Sequence, residues 1–348
     1  MRILVHSRFA PNVGGIETVT WLLSHEWHRR GHDVTVVSDV RCNPGERPQV
    51  PFELTYRPRP TQWLRLMSRA DLFVQMNVSL KAAWPACFVR RPWVAVHHGF
   101  YFPVGAVERD WRERLKLRLA RAACLNIAVS RAVERAVAAP CEVIPNPYAE
   151  SVFQQGNNGR PRSGLIFVGR LVSEKGLDDL LAALVRLREA SLAPYLTIVG
   201  DGPERGALEK RARDLVLTAQ VNFVGTKSAA GVADLLQRHE ILVVPSRYEE
   251  AFGVVALEGA ACGCVVLGSD GGGLPEAVGP AGLTFRRGSI PDLADRLRYL
   301  LEHPESREQL RTRAAAHLAR HRPALVAQQY LELFKVAITR SEPASQRG

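Results

Sequence analysis

Glu250 and Glu258 stand with seven residues between them in the run Glu249-Glu250-Ala251-Phe252-Gly253-Val254-Val255-Ala256-Leu257-Glu258. The second sits inside an otherwise apolar helical stretch that continues into Gly259-Ala260-Ala261. A carboxylate in apolar surroundings is costly unless something donates hydrogen bonds to it. Ribose hydroxyls are suitable donors; a salt bridge within the fold is the alternative. Glu250, in the loop before the helix, can accept from a sugar hydroxyl. Phe252, Gly253 and Val254 then bring backbone amides to a helix N-terminus, where an anion is favoured.

Two cations form a second group. Val168-Gly169-Arg170-Leu171 is followed closely by Ser173-Glu174-Lys175-Gly176. Gly169, Arg170 and Lys175 fall just past the carboxyl end of a strand, where open α/β sheets bind ligands. Arg170 and Lys175 can jointly neutralise a diphosphate; the plainer reading makes Lys175 a solvated loop charge. Gly14-Gly15-Ile16-Glu17 closes the first strand-to-helix loop, where adjacent glycines let amides approach an anionic ligand. A tight turn that needs positive φ would use the same residues. The spacing is not the dinucleotide fingerprint.

These residues need strands that end together and helices that begin beside them. Residues 2–7 are a short apolar run, followed by Ile16, Val19, Leu22, Leu23 and Trp27 at helical spacing, with Gly31 closing the helix and a strand at Val34 to Ser38. Strand-like Asp71 to Gln75, Trp93 to His97 and Leu125 to Val129 continue the alternation. It pauses at Val143 to Tyr148, and the polar, glycine-rich stretch Gln154 to Gly164 reads as an interdomain linker. It restarts with strands at Leu165 to Val168, Leu196 to Val199, Val221 to Val224 and Ile241 to Val244. The class is α/β, two parallel sheets covered on both faces. The boundaries are 1–155 for a first domain, 156–322 for a second, a helix at 323–340 free to pack back on the first, and a disordered tail at 341–348.

Composition agrees with two folded domains. The chain has 348 residues, 46% apolar and 23% charged, which excludes collagenous, disordered and disulfide-scaffold classes. Lys and Arg exceed Asp and Glu by 11, and residues 1–158 carry 21 cations against 13 anions, net +8. Cys42, Cys87, Cys124, Cys141, Cys262 and Cys264 lack zinc-site spacing, so a reducing cytoplasm is expected. The N-terminal apolar run is too short for a signal peptide, and Ala251 to Gly268 makes a poor membrane span. Two basic segments interleave apolar residues: Arg57, Arg59, Arg65 and Arg69 around Trp63, Leu64, Leu66 and Met67; and Arg109, Arg112, Arg114, Lys116, Arg118 and Arg121 around Trp111. Such helices can lie on an anionic membrane surface. As ordinary core contacts, Trp111, Leu115 and Leu119 would instead face inward.

The ordered set GGIE, HHG, IPNPY, VGRL with SEKG, IVGDGP, FVG, VPS with EEAFGVVALE, and GGLPE resembles the large family of retaining glycosyltransferases of the GT-B fold, over about Arg2 to Leu300. The family includes bacterial mannosyl-, glucosyl- and N-acetylglucosaminyltransferases. The resemblance implies two Rossmann-like doubly wound domains facing across a cleft that shuts around residues 145–147. It implies transfer of a sugar from a UDP- or GDP-sugar to a glycan or lipid-linked acceptor, with retention, without a metal or other cofactor, and without a covalent nucleophile. Gly14 and Gly15 match the loop facing the donor phosphate, Arg170 and Lys175 the pair gripping the diphosphate, Glu250 the contact to the donor sugar, and Glu258 the ribose ligand. His98, followed by Gly99, matches a histidine near the donor sugar, with His97 as its rival. One departure is Gly263-Cys264-Val265-Val266, which lacks the proline common after the glutamate helix. The expected location is cytoplasmic, peripheral on the inner face of the plasma membrane. A nucleotide-sugar epimerase or hydrolase of the same fold is the alternative; a nucleic-acid-binding protein has only the charge in its favour.

Overall fold

The computed structural model describes residues 1–9, 14–43, 45, 47–101, 111–137, 139–156 and 161–341. Part of the first loop (10–13), Arg109, part of the proposed linker (157–160) and the tail from 342 lie outside them. The chain divides into two compact units, one of residues 1–147 with the chain from Arg322 onward, the other Tyr148–His321.

In the first unit seven strands form one sheet: β1 (Arg2–Ser7), β2 (Asp33–Ser38), β3 (Glu53–Tyr56), β4 (Leu72–Met76), β5 (Trp93–His97), β6 (Leu125–Ala128) and β7 (Glu142–Val143). They lie in the order β3-β2-β1-β4-β5-β6-β7, all pairs parallel. The order reverses between β1 and β4, and it is beside such a reversal, at the carboxyl ends of the strands, that open α/β sheets bind ligands. β1, β4 and β5 are almost wholly buried, as a sheet with helices on both faces requires. The short strands β3 and β7 were not anticipated. Four and two residues long, half-exposed at the sheet edges, they carry too few apolar residues to show a period.

The second unit repeats the plan with β8 (Leu165–Val168), β9 (Leu196–Val199), β10 (Val221–Gly225), β11 (Ile241–Val244), β12 (Val265–Ser269) and β13 (Gly282–Phe285). Their order is β10-β9-β8-β11-β12-β13, again all parallel. Here the reversal lies between β8 and β11, which register through Ile241 on Leu165. The loops after these strands are those carrying Arg170 with Lys175 and Glu250.

The breaks fall at 147/148 and 321/322, against the 155/156 and 322/323 read from the sequence. Tyr148 and Phe153 explain the first difference: both are buried within the second unit. The polar stretch after them is therefore an excursion of that unit rather than a link between two. The last helix, Pro323–Ser341, belongs to the first unit and packs on the helix Gly15–Arg29. Trp27, fully buried, meets Phe334 at 5.2 Å and Tyr330 at 5.9 Å between ring centroids, and its indole N–H donates to the Ala327 carbonyl at 3.3 Å. Removing the indole deletes the largest shared contact of the two helices. We expect Trp27→Ala to destabilise the first unit by about 3–5 kcal/mol. In a urea titration that resolves two transitions, the one assigned to the second unit should keep its midpoint.

Candidate functional site

Lys175 and Glu250 meet where the strand order reverses in the second unit. The Lys175 ammonium donates to Glu250 Oε1 at 2.7 Å, the Ser246 hydroxyl donates to the same oxygen at 2.7 Å, and the Tyr248 hydroxyl donates to Oε2 at 2.5 Å. Lys175 also donates to the Tyr248 oxygen at 3.0 Å and lies over its ring. Burial pulls the Glu250 carboxyl up, but the Lys175 charge and the three hydrogen bonds outweigh it and hold the group below its ordinary value. Lys175 shifts upward, burial being overcome by Glu250 and Tyr248. The solvated-loop reading of Lys175 therefore fails: its charge is committed. Three of roughly four acceptor positions on the carboxylate are occupied, leaving about one for a ligand hydroxyl.

The two loops are stapled together behind this pair. Arg247 donates from Nε to Asp179 Oδ2 at 2.8 Å and from Nη2 to Asp179 Oδ1 at 2.6 Å and to Asp178 Oδ2 at 2.6 Å. Its backbone N–H donates to the Glu174 carbonyl at 2.8 Å. Gly176, with φ +67, opens the helix Leu177–Glu189; a Cβ there would lie 2.0 Å from the Pro245 carbonyl oxygen. Gly272, with φ +64, lets a third loop approach, its hypothetical Cβ 2.2 Å from the Glu250 backbone carbonyl oxygen. Ser246, Arg247, Tyr248 and Asp179 were missed in the sequence. Asp178-Asp179 at a helix start was the available signal, but it reads as ordinary favourable charge in a first turn.

Glu258 has the opposite environment. It lies in the helix Val254–Ala261, and among the described residues its carboxylate has no hydrogen-bond or ion-pair partner. Burial alone pushes its pKa to about 7. The internal salt bridge offered as the alternative is absent among the described residues. Gly253 caps this helix at φ +94 with no side-chain hydrogen bond, and a Cβ would press 2.6 Å from Leu274 Cδ1. Phe252 is buried against His321, ring centroids 5.5 Å apart, so it supports the turn from behind. Arg170 is exposed, and among the described residues its side chain enters no ion pair or hydrogen bond; its carbonyl accepts from the Val172 N–H at 3.1 Å. Gly169 continues β8, its N–H on the Val199 carbonyl at 3.0 Å.

Gly14, Gly15 and His98 belong to the first unit. Gly14 caps the helix Gly15–Arg29 with extended backbone, φ −149, so the positive-φ turn does not account for the glycine pair. A Cβ on Gly14 would stand 2.5 Å from Glu17 Oε2, and one on Gly15 would meet nothing. His97 is buried with both ring nitrogens engaged: Nδ1 with the Tyr101 hydroxyl at 2.6 Å and Nε2 with Asn126 Oδ1 at 3.0 Å. Burial lowers its pKa to about 4. His98 takes its backbone N–H to Asn77 Oδ1 at 2.7 Å and its Nε2 to Met76 Sδ at 3.4 Å, while Nδ1, on the side of Asn146, makes no well-formed hydrogen bond among the described residues. Burial, then the His97 charge, lowers its pKa to about 3, against a weaker opposing pull from Asn146. Of the two, His97 is spent inside the fold, and His98 is the neutral imidazole with an unused nitrogen. Among the described residues no group of three or more His, Cys, Asp or Glu is placed to hold a metal ion.

Two family models match consecutive parts of the chain: "Glycosyltransferase Family 4" over residues 13–150 and "Glycosyl transferases group 1" over residues 150–317. Glycogen synthase of Mycobacterium tuberculosis is 41% identical over 161 residues, 45% of this chain and 38% of that protein. Alpha-D-kanosaminyltransferase of Streptomyces kanamyceticus is 31% identical over 169 residues, 48% of this chain and 43% of that one. The chain thus spans less than half the length of these curated relatives. Among solved structures, Anabaena HepE in complex with UDP and glucose superposes with a TM-score of 0.79 at 21% identity, covering 97% of this chain and 100% of that one. A glycosyltransferase from Rickettsia africae gives a TM-score of 0.80 at 16% identity over 97% of this chain and 98% of its own. These two likenesses are ones of fold.

Breaking a buried ion pair from one side leaves an uncompensated charge, at a cost of about 3–5 kcal/mol. Lys175→Met should therefore lower the stability of the second unit by that order, and Lys175→Met with Glu250→Gln should recover most of the loss. Equal stability of the single and double variants, measured by denaturant unfolding, would show that the pair does not hold the two loops.

Proposed function

The chain belongs to the group 1 glycosyltransferases of the GT-B fold, and from that premise we propose that it transfers a sugar from a nucleotide diphosphate sugar, UDP- or GDP-linked, with retention at the anomeric carbon. The observation that carries this reading is the partnerless Glu258 carboxylate in the same unit as an uncommitted Arg170 and the Lys175–Glu250 pair. A ribose supplies the hydroxyl donors that Glu258 lacks. Arg170 and Lys175, with the amides opening the helix at Val254, face the charge of a diphosphate, and we assign them its stabilisation without a metal.

In the proposed reaction the bond from the anomeric carbon to the diphosphate oxygen breaks. The acceptor oxygen bonds to that carbon on the same face, and the acceptor's proton passes to the departing diphosphate. Negative charge grows on the diphosphate, so cations beside it accelerate the step more than they tighten binding. Glu250 is a poor nucleophile because both its oxygens already accept hydrogen bonds; its remaining position suits a donor-sugar hydroxyl. Within the first unit, His98 is neutral across the physiological range and suited to hydrogen bonding rather than charge, and Gly14 and Gly15 present an open helix start.

Glu258 gives the test. Hydroxyl donors favour the ionised carboxyl, so binding a nucleotide sugar lowers a pKa that stands near 7 in the free protein. Affinity should rise with pH from about 6 to 8. Glu258→Ala should weaken UDP-glucose or GDP-mannose binding about tenfold or more, a hydrogen bond to a charged group contributing about 1.5–3 kcal/mol, and should flatten the pH dependence. Calorimetric titration at several pH values measures both; unchanged affinity in a folded variant removes the ribose role.

We propose further that the acceptor is a glycan or lipid-linked sugar and that the protein docks on an anionic membrane through the helix Trp111–Ala120. No helix among the described residues is long and apolar enough to cross a membrane. Trp111 is 66% and Leu115 38% exposed, with Arg112, Arg114 and Arg118 exposed along the same helix. The other basic segment does not support the idea: Trp63 and Met67 of the helix Pro60–Arg69 are buried in the core of the first unit, which leaves its arginines without an apolar face. Co-sedimentation with phosphatidylglycerol vesicles should weaken with salt and fall with Trp111→Ser plus Leu115→Ser, whereas Arg65→Glu should change little. No binding at low salt would leave a soluble acceptor.

A further inference from the structure

At the end of the second unit's sheet away from Glu250, a cavity of about 390 Å³ is lined by Gln155, Arg162, Gly263, Glu308, Arg311 and Thr312, with Ala315 at its wall. It lies where the chain turns from the helix Val254–Ala261 into the amino end of β12. Two guanidinium groups from distant parts of the sequence converge there on one residue. Arg311 donates from Nε to the Gly263 carbonyl at 3.0 Å. Arg162 lies so close over Gly263 that a Cβ on that glycine would be 2.6 Å from its Nη2.

Like charges brought to one glycine repel unless an anion sits between them. Among the described residues Glu308 is the only carboxylate lining the cavity. It reaches Arg311 Nη1 at 3.2 Å, but its side chain is 71% exposed, so solvent screens most of that attraction. Among the described residues the Arg162 side chain has only the Leu236 carbonyl, at 3.4 Å from Nη1. Arg311 Nη2 is buried and makes no hydrogen bond among the described residues. A buried charged donor without an acceptor is among the costliest polar defects, and an anion or a water placed there would relieve it.

We infer that this cavity binds a phosphate group, separate from the proposed donor site. Arg162 and Arg311 supply the planar forks that match phosphate oxygens, and Gln155 and Thr312 line the space beyond them. Gly263, at φ +89, holds the turn in a left-handed conformation and leaves room for the Arg162 fork, which any Cβ would displace. The volume exceeds what a bare phosphate fills, and a phosphorylated monosaccharide is of suitable size. Free phosphate and a sugar phosphate share the recognised group and are distinguished by experiment.

The test is calorimetric titration of the whole chain with inorganic phosphate and, separately, with a hexose 6-phosphate, at constant ionic strength and with UDP already saturating the donor site. Binding is expected in at least one arm, with Arg162→Gln plus Arg311→Gln weakening it tenfold or more while UDP affinity stays within twofold. Tighter binding of the hexose phosphate identifies the sugar phosphate as occupant; equal affinity identifies phosphate alone. Absence of heat in both arms overturns the inference, as does binding that the double variant leaves unchanged. Should the double variant fail to fold, Gly263→Ala, which crowds the Arg162 fork, replaces it with the same expected loss.

Discussion

A lysine and a glutamate from two different loops are held 2.7 Å apart at the point where the second sheet reverses its strand order. Desolvating both charges is expensive, and the interaction repays it only if the geometry is fixed and the remaining acceptor positions are filled. Much of the local architecture follows from that condition. Ser246 and Tyr248 fill acceptor positions on Glu250, Arg247 ties its loop to the helix start at Asp178 and Asp179, and Gly176 and Gly272 let two backbones come closer than side chains would allow. The result is a rigid floor, with one acceptor position of Glu250 and the Arg170 fork left for something else to meet.

The two glutamates of one short motif are set in opposite electrostatic states. Glu250 is neutralised by a cation and hydrogen bonds, and stays ionised under burial. Glu258 is given nothing, and its proton is held until about neutral pH. Environments that push two carboxyls apart in this way divide labour between them: one serves as a fixed acceptor, the other as a vacancy for hydroxyl donors. The same contrast separates His97, saturated on both nitrogens, from His98, which is equally buried but not equally spent.

The sequence carried the parallel α/β class because the central strands β1, β4, β5, β8, β9 and β11 are continuous apolar runs bracketed by helical spacing. It did not carry β3 and β7, whose pairing depends on a neighbouring edge rather than on their own pattern. The charged site residues were visible as types out of place, a carboxylate in an apolar helix and cations after a strand. Their partners were not, since a serine, a tyrosine and an aspartate in loops look like ordinary loop residues until tertiary structure brings them together. Trp63 and Trp111 make the same point from the other side: two tryptophans among arginines, one buried in the core and one exposed, in segments of similar composition. Only the placement of each helix against its sheet distinguishes them.

The return of the helix Pro323–Ser341 to the first unit has a consequence for how the molecule is made. The second unit is continuous in sequence, whereas the first is interrupted by it and cannot bury Trp27 until the last helix has left the ribosome. Domains ordinarily fold in the order in which they emerge, at about 5–20 residues per second of synthesis. In this chain the order of completion is inverted: the unit that starts earlier in the sequence is the later to close its core, and while the 174 residues Tyr148–His321 are being made its Trp27 face lacks the helix that covers it.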